Sequence, residues 1–300
     1  MKKLKENLQN IRFSVCICTR NRPDDLNQAL QSLEYSDTPI TEVIVSDDST
    51  DERTEQLVKS HFPSVKYLRG PRIGLSANRN NAIKAVSGTH LLFIDDDVKL
   101  SRDYFVQIFN VIKKNNELYG NKLIVTGLEN KNGSIIFPHD QTFLGFQSRP
   151  YKDGDTIKTI VINSTVFPVF LFKEILFDEQ LIYGYEEVDI ATRAVQKGYA
   201  IVLAQEAINF HYPSEINRDF YKPHIVTSRL YATFKRYLFT EGKWLKALSF
   251  FIAAIIHTTL HCARVEGVRG VLSALRTIRK SINYIMIDRK QYTLSLRRKM

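Results

Sequence analysis

Three cysteines in 300 residues are too few for a disulfide framework. Cys16 and Cys18 stand two apart in an apolar run, so both face the same way and do not bridge readily. Cys262 lies far away in an apolar stretch, and no second cysteine pair or neighbouring histidine completes a zinc site. Buried, reduced thiols and a cytosolic compartment are the expectation. The first twelve residues are charged and polar, with no apolar leader. The apolar run at 247–256 is ten residues long, against the roughly 20 that span a bilayer. There is no phosphate-loop Gly-Lys-Ser/Thr and no six-residue dinucleotide fingerprint. Repeats and low-complexity tracts are absent too.

What is present is ordinary globular composition with an uneven charge. Hydrophobic residues make up 44% of the chain and charged residues 25%, so a folded protein is expected. The net charge of +10 is concentrated at the end: residues 220–300 carry 16 Lys+Arg against 3 Asp+Glu, or +13. The preceding 219 residues carry 26 against 29, or −3. The chain therefore divides into a near-neutral domain, 1–215, and a basic helical region, 216–300.

Strand-like runs at 13–18, 42–46, 65–68 and 89–94 alternate with helix-like stretches at 24–33, 51–61 and 76–86. That alternation predicts an α/β fold, a mostly parallel sheet flanked by helices. Ligands in such sheets bind beyond the carboxyl ends of the strands. Those ends carry Thr19-Arg20-Asn21-Arg22, Asp47-Asp48, the 70–74 glycine loop and Asp95-Asp96-Asp97. From about 119 to 172 the pattern is strands and turns. A helix is expected over 186–196 and a short strand over 207–210, ending at His211.

Asp95-Asp96-Asp97 closes an apolar run. Alternation sends the first and third side chains one way and the middle one the other. Such a pair can hold a divalent cation that bridges substrate phosphates, whereas a helix cap needs one carboxylate only. Asp47 and its neighbours suit either helix capping or acceptance from a nucleobase or ribose. Residues 70–80 lead into a helix N-terminus that favours an anion, with Arg79 suited to phosphate. Glu186-Glu187-Val188-Asp189 is either an acidic first turn matched to the helix dipole or the source of a general base. His211 is a structural histidine unless the carboxylates hold a metal, in which case it is a ligand.

The order of these motifs resembles the family 2 glycosyltransferases of the GT-A fold over about residues 12–212. The carriers are Val15-Cys16-Ile17-Cys18-Thr19-Arg20-Asn21-Arg22-Pro23, Asp47-Asp48-Ser49-Thr50-Asp51, and Gly74 through Asn80. Phe93-Ile94-Asp95-Asp96-Asp97, Phe177-Asp178-Glu179, and Glu186-Glu187-Val188-Asp189 with Arg193 follow. The resemblance implies an inverting enzyme that takes a hexosyl or deoxyhexosyl group from a nucleotide-sugar donor, assisted by a divalent cation (Mn or Mg). It implies that Thr19, Arg20, Asp47, Arg79, Asp95 and Asp96 bind the donor, and that Asp97 and His211 hold the metal. Glu187 stands where the family places an aspartate base, which leaves Glu186 and Asp189 as alternatives.

The expected acceptor is a glycan or lipid-linked hydroxyl, in bacterial-type surface polysaccharide or lipid-linked glycan assembly. In the tail, Val268, Val271, Leu272, Leu275, Ile278, Ile282 and Ile285 recur at helical spacing, with arginines mainly opposite. A basic amphipathic helix of this kind lies in a membrane interface, which predicts a peripheral protein on the inner face of the cell membrane. Packing on the catalytic domain or homodimerisation is the alternative. Nucleic acid is disfavoured as a partner because long apolar runs separate the basic groups. Rival readings are a nucleotidyltransferase and a non-catalytic sugar-nucleotide-binding or membrane scaffold protein. The first lacks its glycine-rich activating loop.

Overall fold

The computed structural model describes residues 11–216 and 218–297, with the side chains of 218, 222 and 290–297 outside the description. Residues 1–10, on which the expectation of no leader rests, and the last three residues of the tail thus lie outside the described residues.

Strand β1 (Phe13–Thr19) is buried along its whole length. It pairs in parallel with β2 (Glu42–Asp47) on one side and β4 (His90–Asp95) on the other. The β3 strand (Lys66–Arg69) extends this half by pairing with β2. The second half is mixed. Strand β10 (Thr165–Pro168) runs antiparallel to both β4 and β6 (Leu123–Lys131), and β6 pairs in parallel with β11 (Ala200–His211). Two-residue β5 (Val98–Lys99) closes the edge against the end of β11, and β7 (Ser134–Ile136) folds back on β6. Six of these nine strands share one direction. A separate hairpin joins β8 (His139–Gln141) to β9 (Gln147–Pro150).

Alternating side chains send the strands' apolar residues to two cores. Val15, Ile17, Leu92 and Ile94 meet α1 (Pro23–Glu34), α2 (Arg53–His61) and α4 (Tyr104–Tyr119) on one face. Cys16, Ile44, Leu91 and Phe93 meet α3 (Leu75–Ile83), the short α5 (Leu171–Glu174) and α6 (Glu186–Gln196) on the other. In α1, Pro23 pre-sets the first turn, and Leu26, Ala29, Leu30 and Leu33 recur at the spacing of one buried stripe.

Two elements escape the sequence pattern. Helix α4 was not assigned, although Tyr104, Phe105, Ile108 and Ile112 line its buried face. Strand β11 starts seven residues before the expected 207, because exposed Gln205 and Glu206 interrupt its alternation at a bulge between Leu203 and Ile208.

Beyond the sheet, α7 (Arg218–Lys235) passes through a π-helical turn, Arg236–Thr240, into α8 (Trp244–Arg297). Gly267 breaks α8 with φ 60° and ψ −138°, a conformation open to glycine and strained for other residues. The two arms fold back on each other: Phe250 and Ala254 of the first share a core with Ile278 of the second and with Leu230 and Tyr237. Counted with its half-polar flanks, α8 is long and apolar enough to cross a membrane by length and composition, unlike the ten-residue run considered alone.

Candidate active site

Strands β1, β2 and β4 end side by side, so the segments that follow them crowd one edge of the sheet. Three non-glycine residues there adopt left-handed backbone: Asn21 (φ 54°), Arg72 (φ 60°) and Tyr185 (φ 69°). Backbone strain of this kind persists where the surroundings over-determine it, and it clusters at functional sites. Gly70 is required for a different reason. A Cβ at that position would lie 2.2 Å from Asp48 Oδ1 and 2.6 Å from Asn78 Oδ1.

The three aspartates take three different environments. Asp95 ends β4; its backbone N–H donates to Asn163 Oδ1 (2.9 Å), and its carboxylate meets Arg79 at 3.3 Å. Asp96 is fully buried, accepting from the Thr19 hydroxyl (2.7 Å) and pairing with Arg22 (2.5 Å). Burial lifts its pKa to about 8 even though the Arg22 charge pulls the other way. Asp97 pairs with Arg22 through Oδ2 (3.0 Å) and receives the Ser214 N–H on the same oxygen (3.0 Å).

The antiparallel pairing of β5 with β11 sets His211 opposite Val98 and hence beside Asp97. His211 Nε2 lies 3.3 Å from Asp97 Oδ1, and its Nδ1 is 2.7 Å from Glu129 Oε1. Burial disfavours an imidazolium here, but the carboxylates of Asp97 and Glu129 outweigh it and lift the pKa to about 10. Glu129 is itself held by Asn163, whose side-chain N–H donates to Oε2 at 3.1 Å.

A cavity of about 410 Å³ opens at this edge. Of the sequence-predicted set, Thr19, Arg20, Asp95, Asp97 and His211 line it. Asp47, Arg79 and Asp96 stand behind its wall rather than in it. The carboxylate of Asp47 accepts from Tyr67 (2.8 Å) and from the Ser49 N–H (2.8 Å), while the neighbouring Asp48 faces the cavity. Arg79 is 1% exposed, clamped between Glu186 (2.9 Å) and Asp95, with its guanidinium 5.6 Å from the Phe177 ring centre. Asp96 organises the loop through Thr19 and Arg22.

Glu187 lies elsewhere, on a cleft of about 150 Å³ that it shares with Glu129, His139 and Thr159. Glu129 thus has its carboxylate on His211 and a surface on the Glu187 cleft, so it stands between the two spaces. Burial, reinforced by the adjacent Glu186 charge, pushes the Glu187 pKa up to about 8. Sequence reasoning singled out neither Arg22, Glu129 and Asn163 nor Tyr183 and Tyr221, and it chose Asp47 over its neighbour Asp48. Arg22 sat inside a quoted motif, and Glu129 is a carboxylate ending an apolar strand, so both left a signal. Asn163 left none: a lone asparagine in a turn region has no pattern.

The cavity sets the cations Arg20, Arg22 and Lys131 beside the carboxylates of Asp48, Asp95 and Asp97. Asp97 Oδ1 is buried without a well-aligned hydrogen bond, and it faces an imidazole nitrogen. Once His211 gives up its Nε2 proton, this oxygen and nitrogen pair fits a divalent ion that keeps waters and takes substrate oxygens. Among the described residues, no three carboxylate, histidine or cysteine groups are arranged to cage a metal by themselves.

The sequence matches the description glycosyl transferase family 2 over residues 14–175, just over half of the chain. The chain belongs to glycosyl transferase family 2. Its curled mixed sheet with flanking helices is the GT-A fold. Among solved structures, S. aureus TarS superposes with a TM-score of 0.63 at 19% identity, over 92% of this chain and 49% of that one. TarS 1-349 in complex with UDP gives a TM-score of 0.55 at 20% identity, over 90% and 92%. These likenesses establish the fold alone.

A curated relative is the GalNAc(5)-diNAcBac-PP-undecaprenol beta-1,3-glucosyltransferase of Campylobacter jejuni, 30% identical over 126 residues. That match spans 38% of this chain and 38% of the relative's length. The family match contains Thr19, Asp48, Asp95, Asp97 and Glu129. Glu187 and His211 lie beyond it.

Arg22→Met leaves Asp96 and Asp97 without their shared cation, and above about pH 8, where Asp96 is charged, breaking a buried pair costs on the order of 3–5 kcal/mol. Thermal and urea unfolding of Arg22→Met are expected to show that loss. Adding Asp96→Asn, which removes the orphaned charge, is expected to restore much of it. A single variant as stable as wild type would refute the pairing.

Proposed function

We propose that this family 2 enzyme moves a sugar, with inversion, from a nucleoside diphosphate donor to a hydroxyl of a glycan or lipid-linked acceptor, with Glu187 as base. One observation carries the choice of base. Of the three carboxylates in the first turn of α6, Glu186 is tied to Arg79, and Asp189 is tied to Arg193 (2.5 Å) and Lys235 (3.1 Å). Glu187 alone has no ion-pair partner among the described residues, and it faces a separate cleft beside the donor cavity. A raised pKa gives a carboxylate more basicity toward an alcohol proton.

In this scheme the acceptor O–H proton passes to the Glu187 carboxylate as the oxygen attacks the anomeric carbon. The bond to the diphosphate breaks with its electron pair on the phosphate oxygen, and a single displacement inverts the centre. Arg20 and Arg22 supply positive charge to the donor cavity. Thr19, Asp48 and Asn78 offer polar groups to the nucleoside. A divalent cation, Mn or Mg, would be held by Asp97 and His211 and would neutralise charge on the departing diphosphate. The UDP complex of the TarS neighbour supports a uridine donor as the first to test. The acceptor named for the Campylobacter relative supports a lipid-linked one.

The tail supports work at a membrane surface. Trp244, Leu248, Ile252, Ile256 and Leu260 are all more than half exposed and recur every four residues on the first arm of α8. Val268, Leu272, Leu275 and Met286 expose a matching stripe on the second. Exposed apolar surface on this scale marks an interaction site. With Lys243, Lys246, Arg264, Arg269, Arg276 and Arg279 alongside, anionic lipid is the complementary surface, at about 1 kcal/mol per basic residue. We place the protein on the cytoplasmic face of the membrane, with residues 216–300 as the lipid-facing region.

Incubation of the purified protein with Mn²⁺ and a panel of UDP-sugars is expected to show turnover of at least one donor. Asp97→Ala should weaken metal-dependent donor binding. Glu187→Gln should keep binding and lose transfer, and the wild-type rate should climb with pH through about 8, where the base loses its proton. Full transfer by Glu187→Gln would remove it from the base role.

Flotation with vesicles containing phosphatidylglycerol is expected to carry the wild-type protein and leave behind Leu248→Gln/Ile252→Gln/Ile256→Gln. Equal flotation of both, or a shift of the wild type from dimer to monomer in the triple variant without any flotation, would defeat the membrane claim.

A further inference from the structure

Behind α6, away from both the donor cavity and the Glu187 cleft, lies a buried ion cluster that the transfer scheme does not use. Lys235, the last residue of α7, is 7% exposed. Its ammonium lies 2.5 Å from Asp178 Oδ2 and 3.1 Å from Asp189 Oδ1. The other oxygen of Asp189 takes Arg193, one turn along α6. The hydroxyl of Tyr231 donates to Asp178 at 2.6 Å. Asp178 is fixed from the sheet side as well. Asn80 of α3 accepts from the Phe177 N–H (3.0 Å) and donates to Glu179 (3.0 Å), which holds that segment in place.

A buried lysine between two aspartates is a poor choice for stability alone, since packed apolar side chains of the same volume commonly do as well or better. What the cluster does provide is direction. Helix α6 starts from Tyr185 in left-handed backbone, a conformation that only its surroundings can impose. The first helical hydrogen bond after it runs from the Asp189 N–H to the Tyr185 carbonyl (3.0 Å). The same Asp189 side chain is the one Lys235 holds. Immediately after Lys235 the chain makes its π-helical turn, which packs against α6. Single π-turns of this type are frequent at functional sites.

We infer that Lys235 is a positioning residue: by tying Asp189 to Asp178 it fixes the strained start of α6, and through it the direction in which Glu187 points. The inference rests on the reading of Glu187 as base. It makes the helices after the sheet part of the catalytic apparatus as well as its lipid-facing surface. The base is then held in register by a helix that continues into the hairpin.

The test compares wild type with Lys235→Met, Lys235→Arg and the double variant Lys235→Met/Asp178→Asn, which removes the surplus buried charge should the single change fail to fold. In hydrogen exchange, amides 189–192 of α6 should open about tenfold faster in the methionine variants, the scale of one charge-assisted hydrogen bond. Exchange in α1 should not change, and arginine should restore most of the protection. With the donor found to turn over and Mn²⁺, kcat should fall about 10²-fold, as for a small misplacement of a reacting group, with the donor KM held within about twofold. Unchanged exchange at 189–192, or a kcat equal to wild type, overturns the inference. So does a loss of protection spread over the whole sheet. If the wild-type protein turns over no donor, the transfer reading fails while the exchange experiment still decides whether Lys235 orders α6.

Discussion

Three consecutive carboxylates at the end of a buried strand repel one another unless positive charge meets them, and most of this active site is the answer to that constraint. Arg79 meets Asp95 from α3, Arg22 meets Asp96 and Asp97 from the loop after β1, and His211 meets Asp97 from the end of β11. Each partner comes from a different part of the chain. Satisfying the aspartates therefore ties together the parallel half of the sheet, its antiparallel edge and the start of α1. The outcome for the three is unequal. Asp96 is sealed among its partners, whereas Asp95 and Asp97 keep a surface on the cavity. The charge left over there suits a cation and a diphosphate.

The same logic separates the three acids of α6. Two of them are consumed by cations that hold the helix, one through Arg79 toward the donor side and one through Lys235 and Arg193 toward the C-terminal helices. Glu187 is left in a cleft that adjoins the donor site across Glu129. Paired and unpaired carboxylates thus lie within four residues of sequence. The allotment is made by neighbours 46 and 107 positions away, in the Lys235–Asp189 and Arg79–Glu186 pairs.

That distance explains how much was legible beforehand. The alternation of strands and helices over the first hundred residues was readable because local periodicity encodes it, and the polar strand ends pointed to the edge at which the cavity opens. Alternation along β4 likewise separates Asp96 from Asp95 and Asp97. The roles of Asp47 and Arg79 were not legible. An aspartate turned to Tyr67 and an arginine sealed over Phe177 look, in one dimension, the same as residues that face a ligand. Glu129 and Asn163 are brought to His211 and Asp95 by pairings between β6, β10 and β11, which no local pattern announces. In the tail, periodicity gave the apolar helical spacing, but Ile278 and Ile285 of that stripe turn inward to pack on the hairpin and on Leu181 and Tyr231, and the fold-back at Gly267 depends on one residue's backbone.

The account stands on the cavity between Asp48, Asp97 and His211 as the seat of the nucleotide and its cation. Crystals grown with UDP and Mn²⁺ and measured at the manganese absorption edge test this directly. The account predicts an anomalous peak within bonding distance of Asp97 Oδ1 and His211 Nε2, with the diphosphate on it and the uracil toward Thr19 and Asp48. UDP seated elsewhere on the sheet, or manganese bound without contact to Asp97, would contradict it.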